Sequence, residues 1–193
     1  MYEALETIRQ KCENCKKCPL YQTKTNTVFS GGTPNSKIML IGEAPGEQED
    51  LQGSPFVGRS GQLLDKILEC VGLSRNENIY ICNTIKCRPP HNRNPLPEEK
   101  SACREYLDAQ LEILKPKIIL LCGAVSVASM IPNNTLGITK IHGKWFDGPN
   151  GAKMMPIYHP AYLLRNPSNE HGKPKWQMWQ DIKEVKRVYD EIQ

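Results

Sequence analysis

Short, unbroken apolar runs recur along the chain, and each is closed by a glycine, an asparagine or a histidine–proline pair. Such runs between turn residues are typical of buried strands. They predict four strands, in the segments SKIMLIG (36–42), NIYICNT (78–84), KIILLCG (117–123) and KMMPIYHP (153–160).

Between these runs, apolar residues recur every three or four positions, which indicates helices with one buried face. The pattern predicts helices over 2–11, 58–73, 96–116, 124–131 and 173–192. Strands that alternate with helices favour an α/β fold in which helices cover a central, mainly parallel four-stranded sheet.

Ligands of parallel sheets bind outside the carboxyl ends of the strands. Gly42, Asn83, Gly123 and His159 stand at the four predicted ends. Candidate functional residues should therefore gather at this edge of the sheet.

The chain has 193 residues, enough to bury most of its apolar surface, and we expect a single domain over 1–193. It contains no apolar run that could cross a bilayer, and its first residues show no signal-peptide pattern. We therefore expect a soluble, cytoplasmic protein without a membrane partner. The formal net charge of +4 allows a nucleic-acid partner but does not by itself indicate one.

Eight cysteines in a cytoplasmic protein do not indicate disulfides, because that compartment keeps thiols reduced. Cys12, Cys15 and Cys18 follow a C-x2-C-x2-C pattern, and 15 residues separate Cys87 from Cys103. Four thiolates from two such groups suit either tetrahedral zinc or an iron–sulfur cluster. The spacing decides neither the metal nor which of the first three cysteines bind it.

The remaining cysteines, Cys70, Cys82 and Cys122, lie in apolar helix or strand patterns. Free cysteine packs well as a small apolar residue. We expect all three in the hydrophobic core.

Four stretches around the strand ends are specific in combination. They are GEAPG (42–46), GSPFVGRSGQLLD (53–65), KCRPPHNRNPLPEE (86–99) and YHPAYLLRNP (158–167). Together with Asn83 they closely resemble the family 4 uracil-DNA glycosylases, which carry an iron–sulfur cluster. The resemblance runs from about Cys15 to the last helix.

The resemblance implies a three-layer α/β/α sandwich and a [4Fe–4S] cluster bound by Cys15, Cys18, Cys87 and Cys103, with Cys12 as an unpaired extra. It also implies an activity. A monomeric enzyme would remove uracil from single- or double-stranded DNA by base flipping and hydrolysis of the glycosidic bond, leaving an abasic site for base excision repair.

Breaking this bond builds negative charge on the uracil ring and positive charge on the sugar, so preorganised donors should face the ring oxygens. Phe56 can stack on the flipped ring, and the Asn83 amide can pair with its N–H and one carbonyl while rejecting cytosine. His159 can donate to the other carbonyl as a neutral imidazole. Alternatively, Phe56 only anchors its loop and Asn83 is a turn residue.

The tight turn GEAPG can supply backbone N–H groups of Glu43 and Ala44 to the base, since Gly42 allows a close approach. The Glu43 carboxylate can orient a water or offset the sugar's positive charge, unless it is only a solvated turn residue. Glu49 is a second candidate for this role, and in the family its position lies beside the pocket, where it can exclude the methyl group of thymine. The sequence does not divide the roles between the two carboxylates.

We expect the segment HPAYLLRNP (159–167) to form a loop that faces DNA. Leu163 or Leu164 can wedge into the gap left by the base, or both leucines belong to the core. Five cations are candidates for binding phosphates: Arg165, Arg59, Lys86, Arg88 and Arg93. His91 stands where the family usually has glycine, and we expect it on a surface loop.

Two alternatives belong to other functional classes. One is a non-catalytic, metal-stapled DNA-binding module associated with a polymerase, which would need the cysteines and cations but not Asn83 and His159 together. The other is an unrelated α/β hydrolase that uses Glu43 and His159 as acid and base, although the chain lacks a G-x-S-x-G motif.

Overall fold

The sheet has six strands, of which the central four are those that the apolar runs predict. In the computed structural model, which describes residues 1–192, these four are β2 (Ile38–Gly42), β3 (Ile79–Asn83), β4 (Ile118–Cys122) and β6 (Lys153–Ile157). They are parallel to one another. Two further strands, β1 (Gly31–Gly32) and β5 (Phe146–Asp147), pair antiparallel with the edges, giving the order β1-β3-β2-β4-β6-β5.

Eight α-helices lie in the described part of the chain, and the five longest confirm the predicted ones. In chain order, the helices are α1 (Tyr2–Glu13), α2 (Glu47–Gln52), α3 (Arg59–Glu69), α4 (Pro97–Leu114), α5 (Ala124–Met130), α6 (Ile138–Ile141), α7 (Pro160–Arg165) and α8 (Pro174–Glu191). The short helices α2, α6 and α7 are additional to the prediction.

The ends of α4 show how local residues fix a helix. Pro97 occupies the first turn, where its missing N–H is not needed, and the Glu99 carboxylate accepts the Leu96 N–H at 2.8 Å. At the other end Lys115 adopts a left-handed conformation with φ 44°, and Pro116 follows. The helix that carries Cys103 therefore has well-defined limits.

Alternate residues of β2 enter two separate cores. Ile38 and Leu40 pack with α3, α7 and α8, whereas Met39 and Ile41 pack with α1, α4 and α5. This is the alternation expected for a strand that is buried on both faces. The helices therefore form two layers around the sheet, and the predicted three-layer α/β/α fold is confirmed.

The register brings the strand ends to one edge of the sheet. Gly42 pairs with Asn83 across β2 and β3, and Cys122 pairs with Ile157 across β4 and β6. No helix within residues 1–192 is both long and apolar enough to span a membrane.

Candidate active site

A cavity of about 640 Å³ opens at the carboxyl ends of the parallel strands. Its walls include Glu43, Glu49, Phe56, Asn83 and His159. These predicted site residues come from four separate segments, and the fold brings them together as the strand-end argument predicts.

The Asn83 side chain, which lines this cavity, has an unsatisfied hydrogen-bond acceptor. Asn83 is 2% exposed, and its Oδ1 has no hydrogen-bond partner. No other buried side-chain nitrogen or oxygen in residues 1–192 lacks one. Leaving a buried acceptor unpaired costs about 1–3 kcal/mol. A ligand N–H placed against Oδ1 would recover that free energy.

Gly42 supplies the space in front of this amide. A side chain beginning at Gly42 would have its Cβ 2.3 Å from Asn83 Oδ1 and 2.7 Å from Phe56 Cζ. Both distances are far below van der Waals contact. Only glycine keeps the floor of the cavity open here.

Phe56 forms an aromatic wall of the cavity. Its ring centroid lies 5.7 Å from that of His159, with an angle of 32° between the planes. The residue has φ 53°, a left-handed conformation that is uncommon outside glycine and indicates a constrained loop.

Two charged side chains hold the Phe56 loop in this conformation. Glu49 Oε1 accepts the N–H groups of Val57 at 2.9 Å and Gly58 at 2.8 Å. Arg75 donates to the carbonyls of Pro55 at 2.9 Å and Phe56 at 2.8 Å. Sequence reasoning missed Arg75, which lies in a loop 19 residues away and carries no motif of its own.

The two candidate carboxylates have different surroundings. Glu49 accepts the backbone N–H groups of Val57 and Gly58 and so stabilises the Phe56 loop. Burial raises the pKa of Glu43 above its ordinary value, and the charge of Lys100 opposes that rise. The Glu43 turn is fixed through its own carbonyl, which accepts Thr84 Oγ1 at 2.6 Å and the Ile85 N–H at 3.3 Å.

His159 is held as a neutral imidazole with a free donor. Its Nδ1 accepts the Ala161 N–H at 3.1 Å at the start of α7, which leaves the proton on Nε2. The pKa of His159 is lowered to about 4, chiefly by burial and also by the Arg165 charge, while the Glu49 charge acts in the opposite sense. At neutral pH the ring can therefore donate one hydrogen bond without carrying charge.

The segment after His159 differs from the expected loop. Residues 160–165 form the helix α7, since Pro160 occupies its first turn and the His159 side chain caps it. Leu163 faces the core with no exposed surface, so its assignment as a wedge is corrected. Leu164 remains 39% exposed on the outer face of α7, and Arg165 is exposed at its end.

The five candidate phosphate-binding cations separate into three groups. Arg93 and Arg165 line the cavity, with Arg93 also paired to Glu99 at 2.6 Å. Arg59 is exposed at the start of α3, and Arg88 donates to Asn92. Lys86 has no exposed surface and cannot reach a phosphate in this structure, so its DNA-binding assignment is corrected.

Five cysteines line a second cavity, next to α1 and α4. They are Cys12, Cys15, Cys18, Cys87 and Cys103. Burial raises the pKa of the Cys87 thiol to about 12 and that of Cys103 to about 11, with the Lys86 charge opposing the rise at Cys103. No three Cys, His, Asp or Glu side chains in residues 1–192 converge closely enough to hold a single metal ion.

The other cysteine predictions have mixed outcomes. Cys82 and Cys122 lie in the core with no exposed surface, as expected. Cys70 is exposed at the end of α3, so its core assignment is wrong. The apolar face of α3 is formed by Leu64 and Leu68, and the position two residues beyond Leu68 turns outward. His91 is exposed, as expected for a surface loop.

Comparison with known proteins identifies the class to which this fold and site belong. A family model described as the uracil DNA glycosylase superfamily matches residues 29–183, and the chain belongs to this superfamily.

Within the superfamily, the chain is similar to proteins named type-4 uracil-DNA glycosylases. That of Thermotoga maritima is 45% identical over 87% of this chain and 87% of its own length. Those of Sulfurisphaera tokodaii and Archaeoglobus fulgidus are 44% and 41% identical, each over 86% of this chain and over 78% and 85% of their own lengths. The resemblance seen in the sequence is confirmed.

The depressed pKa of His159 predicts a pH dependence of stability. His159 takes up a proton near pH 6.5 in the unfolded chain but only near pH 4 in the folded protein. Because the unfolded state binds this proton more tightly, the free energy of unfolding should fall as the pH drops from 6.5 to 4. His159 should contribute about 3 kcal/mol to the fall. His159→Gln should therefore lose less stability than the wild type between pH 6.5 and 4, measured by urea unfolding at each pH.

The exposed His171 provides the control, and His171→Gln should follow the wild-type curve. Parallel curves for the wild type and His159→Gln would show that burial does not suppress protonation of His159.

Proposed function

We propose that this protein is a uracil-DNA glycosylase that binds an extruded uracil in the strand-end cavity and hydrolyses its bond to deoxyribose. The unpaired Oδ1 of Asn83 is the observation that carries the proposal, because it needs a donor such as the N3–H of uracil. Cytosine has no proton at N3 and presents an amino group where uracil has a carbonyl. A fixed amide therefore discriminates between the two bases.

Phe56 and His159 complete the recognition of the base. The Phe56 ring forms a flat wall on which the extruded pyrimidine stacks, and unstacking from DNA costs a few kcal/mol that this contact helps to recover. His159 Nε2–H donates to the uracil oxygen on which negative charge develops as the bond breaks. A neutral donor suffices for this purpose, because stabilising an anion requires a donor directed at it and not necessarily a full positive charge.

The two carboxylates have separate roles in this proposal. Glu43, at the mouth of β2, directs a water toward the sugar and offsets the positive charge that develops there. Glu49 holds the Phe56 loop through Val57 and Gly58 and lies beside the base, where it limits the space for a methyl group.

DNA approaches the side of the molecule on which the cavity opens. Arg93 and Arg165 are at the cavity itself and Arg59 is exposed on α3, so these three bind phosphates in the proposal, together with Arg88. The exposed Leu164 is the apolar side chain available to fill the gap left by the base. The enzyme acts as a monomer on single- or double-stranded DNA.

The cysteine cavity is suited to an iron–sulfur cluster. Cys15, Cys18, Cys87 and Cys103 all line this cavity, together with Cys12, and iron is the metal of the family that the chain resembles. A four-iron cluster accepts four thiolates spread around one cavity. Cys15, Cys18, Cys87 and Cys103 would hold it, and it would supply a structural cross-link between the N-terminal segment and α4.

Asn83→Ala should reduce excision of uracil by at least about 100-fold, because it removes the groups that recognise the base. Incubation with a uracil-containing oligonucleotide, followed by alkali, converts each abasic site to a strand break that a gel resolves. Binding to undamaged DNA should change little.

The exposed Asn76 is the matched control, and Asn76→Ala should cleave like the wild type. DNA binding without any scission by the wild type would favour a non-catalytic binding module. Rapid scission by Asn83→Ala would contradict the role of the amide.

Replacing each carboxylate by its amide should separate their roles. Glu43→Gln should slow single-turnover excision by about 100-fold with little change in stability, because its charge acts on the reaction. Glu49→Gln should lower the melting temperature, because a neutral amide accepts the Val57 and Gly58 N–H groups less strongly. An equal decrease in melting temperature in both variants would contradict the separate roles assigned to Glu43 and Glu49.

Cys87→Ser should abolish the visible absorbance and iron content of the purified protein and lower its melting temperature. The exposed Cys70 lies outside the cysteine cavity, so Cys70→Ser should leave the iron content and melting temperature at wild-type values. Zinc in place of iron in the wild type would contradict the proposed cluster.

A further inference from the structure

Lys86 is a lysine with no exposed surface, located between the candidate base-reading residue and the candidate cluster ligand Cys87. Burying an ammonium group costs several kcal/mol unless hydrogen bonds and a counter-charge compensate. Such a residue in the interior therefore needs a physical explanation.

Neutral partners satisfy two of the three N–H donors of its ammonium group. Lys86 Nζ donates to the Asn83 carbonyl at 2.8 Å and to Gln110 Oε1 at 2.6 Å. Gln110 is itself fixed, since its Nε2 donates to the Phe29 carbonyl at 3.2 Å and to the Tyr80 hydroxyl at 2.9 Å. Neither hydrogen bond of Lys86 supplies a negative charge.

The cysteine cavity offers the missing counter-charge. Lys86 lines that cavity together with Cys12, Cys87 and Cys103. Four thiolates around a cluster core of charge 2+ carry a net charge of about −2. A buried anion with this charge and a buried ammonium group stabilise each other, because opposite charges attract strongly in a low-dielectric interior.

The segment 83–87 also contacts the other wall of the uracil cavity. The Thr84 N–H donates to the Gly42 carbonyl at 3.0 Å, and the Ile85 N–H donates to the Glu43 carbonyl. Lys86 reaches back three residues to the carbonyl of Asn83. One short segment thus joins the cysteine cavity to both the amide and the turn of the candidate active site.

We propose that Lys86 is a positioning residue that couples the two cavities: its ammonium group fixes the Asn83 backbone and balances the charge of the cluster. This inference rests on the proposed roles of Asn83 and the cysteines. Lys86 touches neither the base nor the sugar, and it acts on base recognition only through Asn83.

Lys86→Met tests both halves of the proposal. The variant should lose iron to a chelator about tenfold faster than the wild type, as measured by the decay of the visible absorbance. The second readout is an affinity ratio: the affinity for an oligonucleotide that contains non-cleavable 2′-fluorodeoxyuridine, divided by the affinity for the same oligonucleotide with cytidine. This ratio should fall by about five- to tenfold. Neither readout depends on catalysis.

A double-mutant cycle distinguishes positioning from general stabilisation. In the Asn83→Ala background, Lys86→Met should change the affinity ratio by less than about twofold, because the amide through which it acts is already gone. Leu107→Ala, which empties space in the same core but removes no hydrogen-bond partner of Lys86, should lower the melting temperature and leave the affinity ratio and iron release unchanged. If Lys86→Met fails to fold, Lys86→Gln, a shorter and uncharged donor, serves in the same comparisons.

The outcomes separate this proposal from the proposed function. If Asn83→Ala loses the preference for uracil while Lys86→Met keeps both the preference and the iron, only the role of Lys86 is overturned. Additive effects in the cycle would overturn it as well. If Asn83→Ala keeps the preference, the assigned role of Asn83 fails and the coupling through Lys86 fails with it.

Discussion

The pairing of Gly42 with Asn83 across β2 and β3 is the constraint on which the candidate active site depends. It sets the amide oxygen against a backbone that has no side chain, and any Cβ there would lie 2.3 Å from that oxygen. A shift of one residue in register would turn Asn83 to the opposite face of the sheet. The wholly buried partners Leu40 and Ile81, further back in the core, fix the register that the site needs.

The site is held open at the expense of local stability. Oδ1 of Asn83 lacks a partner, and Phe56 occupies a left-handed conformation that Glu49 and Arg75 maintain by hydrogen bonds to its loop. These features cost free energy in the unliganded protein, and a pyrimidine bound as proposed would relieve the first of them. Little of the binding free energy is then needed for rearrangement, which is the advantage of a preorganised site.

The sequence predicts the elements that depend on a local pattern of residues. It does not predict features that depend on tertiary packing. Apolar runs locate the four central strands, but β1 and β5 have two residues each and show no period. Lys86 follows a strand among other cations, so it resembles a surface residue until Gln110 and the Asn83 carbonyl are seen around its ammonium group. Leu163 and Leu164 are adjacent apolar residues, and only the docking of α7 determines which of them faces the core.

The candidate active site draws its support from both faces of the sheet. Phe56 packs in the core formed with α3, α7 and α8, whereas Cys12 and Cys103 belong to the core formed with α1 and α4. Asn83 lies at the end of the strand between these layers, and the segment 83–87 leads from it to the cysteine cavity. The hydrogen bond from Lys86 Nζ to the Asn83 carbonyl links a residue of the cysteine cavity directly to this strand end. In the proposed coupling, a change at the cysteine cavity would reach the amide through this contact, which would give a cavity remote from the base a physical connection to specificity.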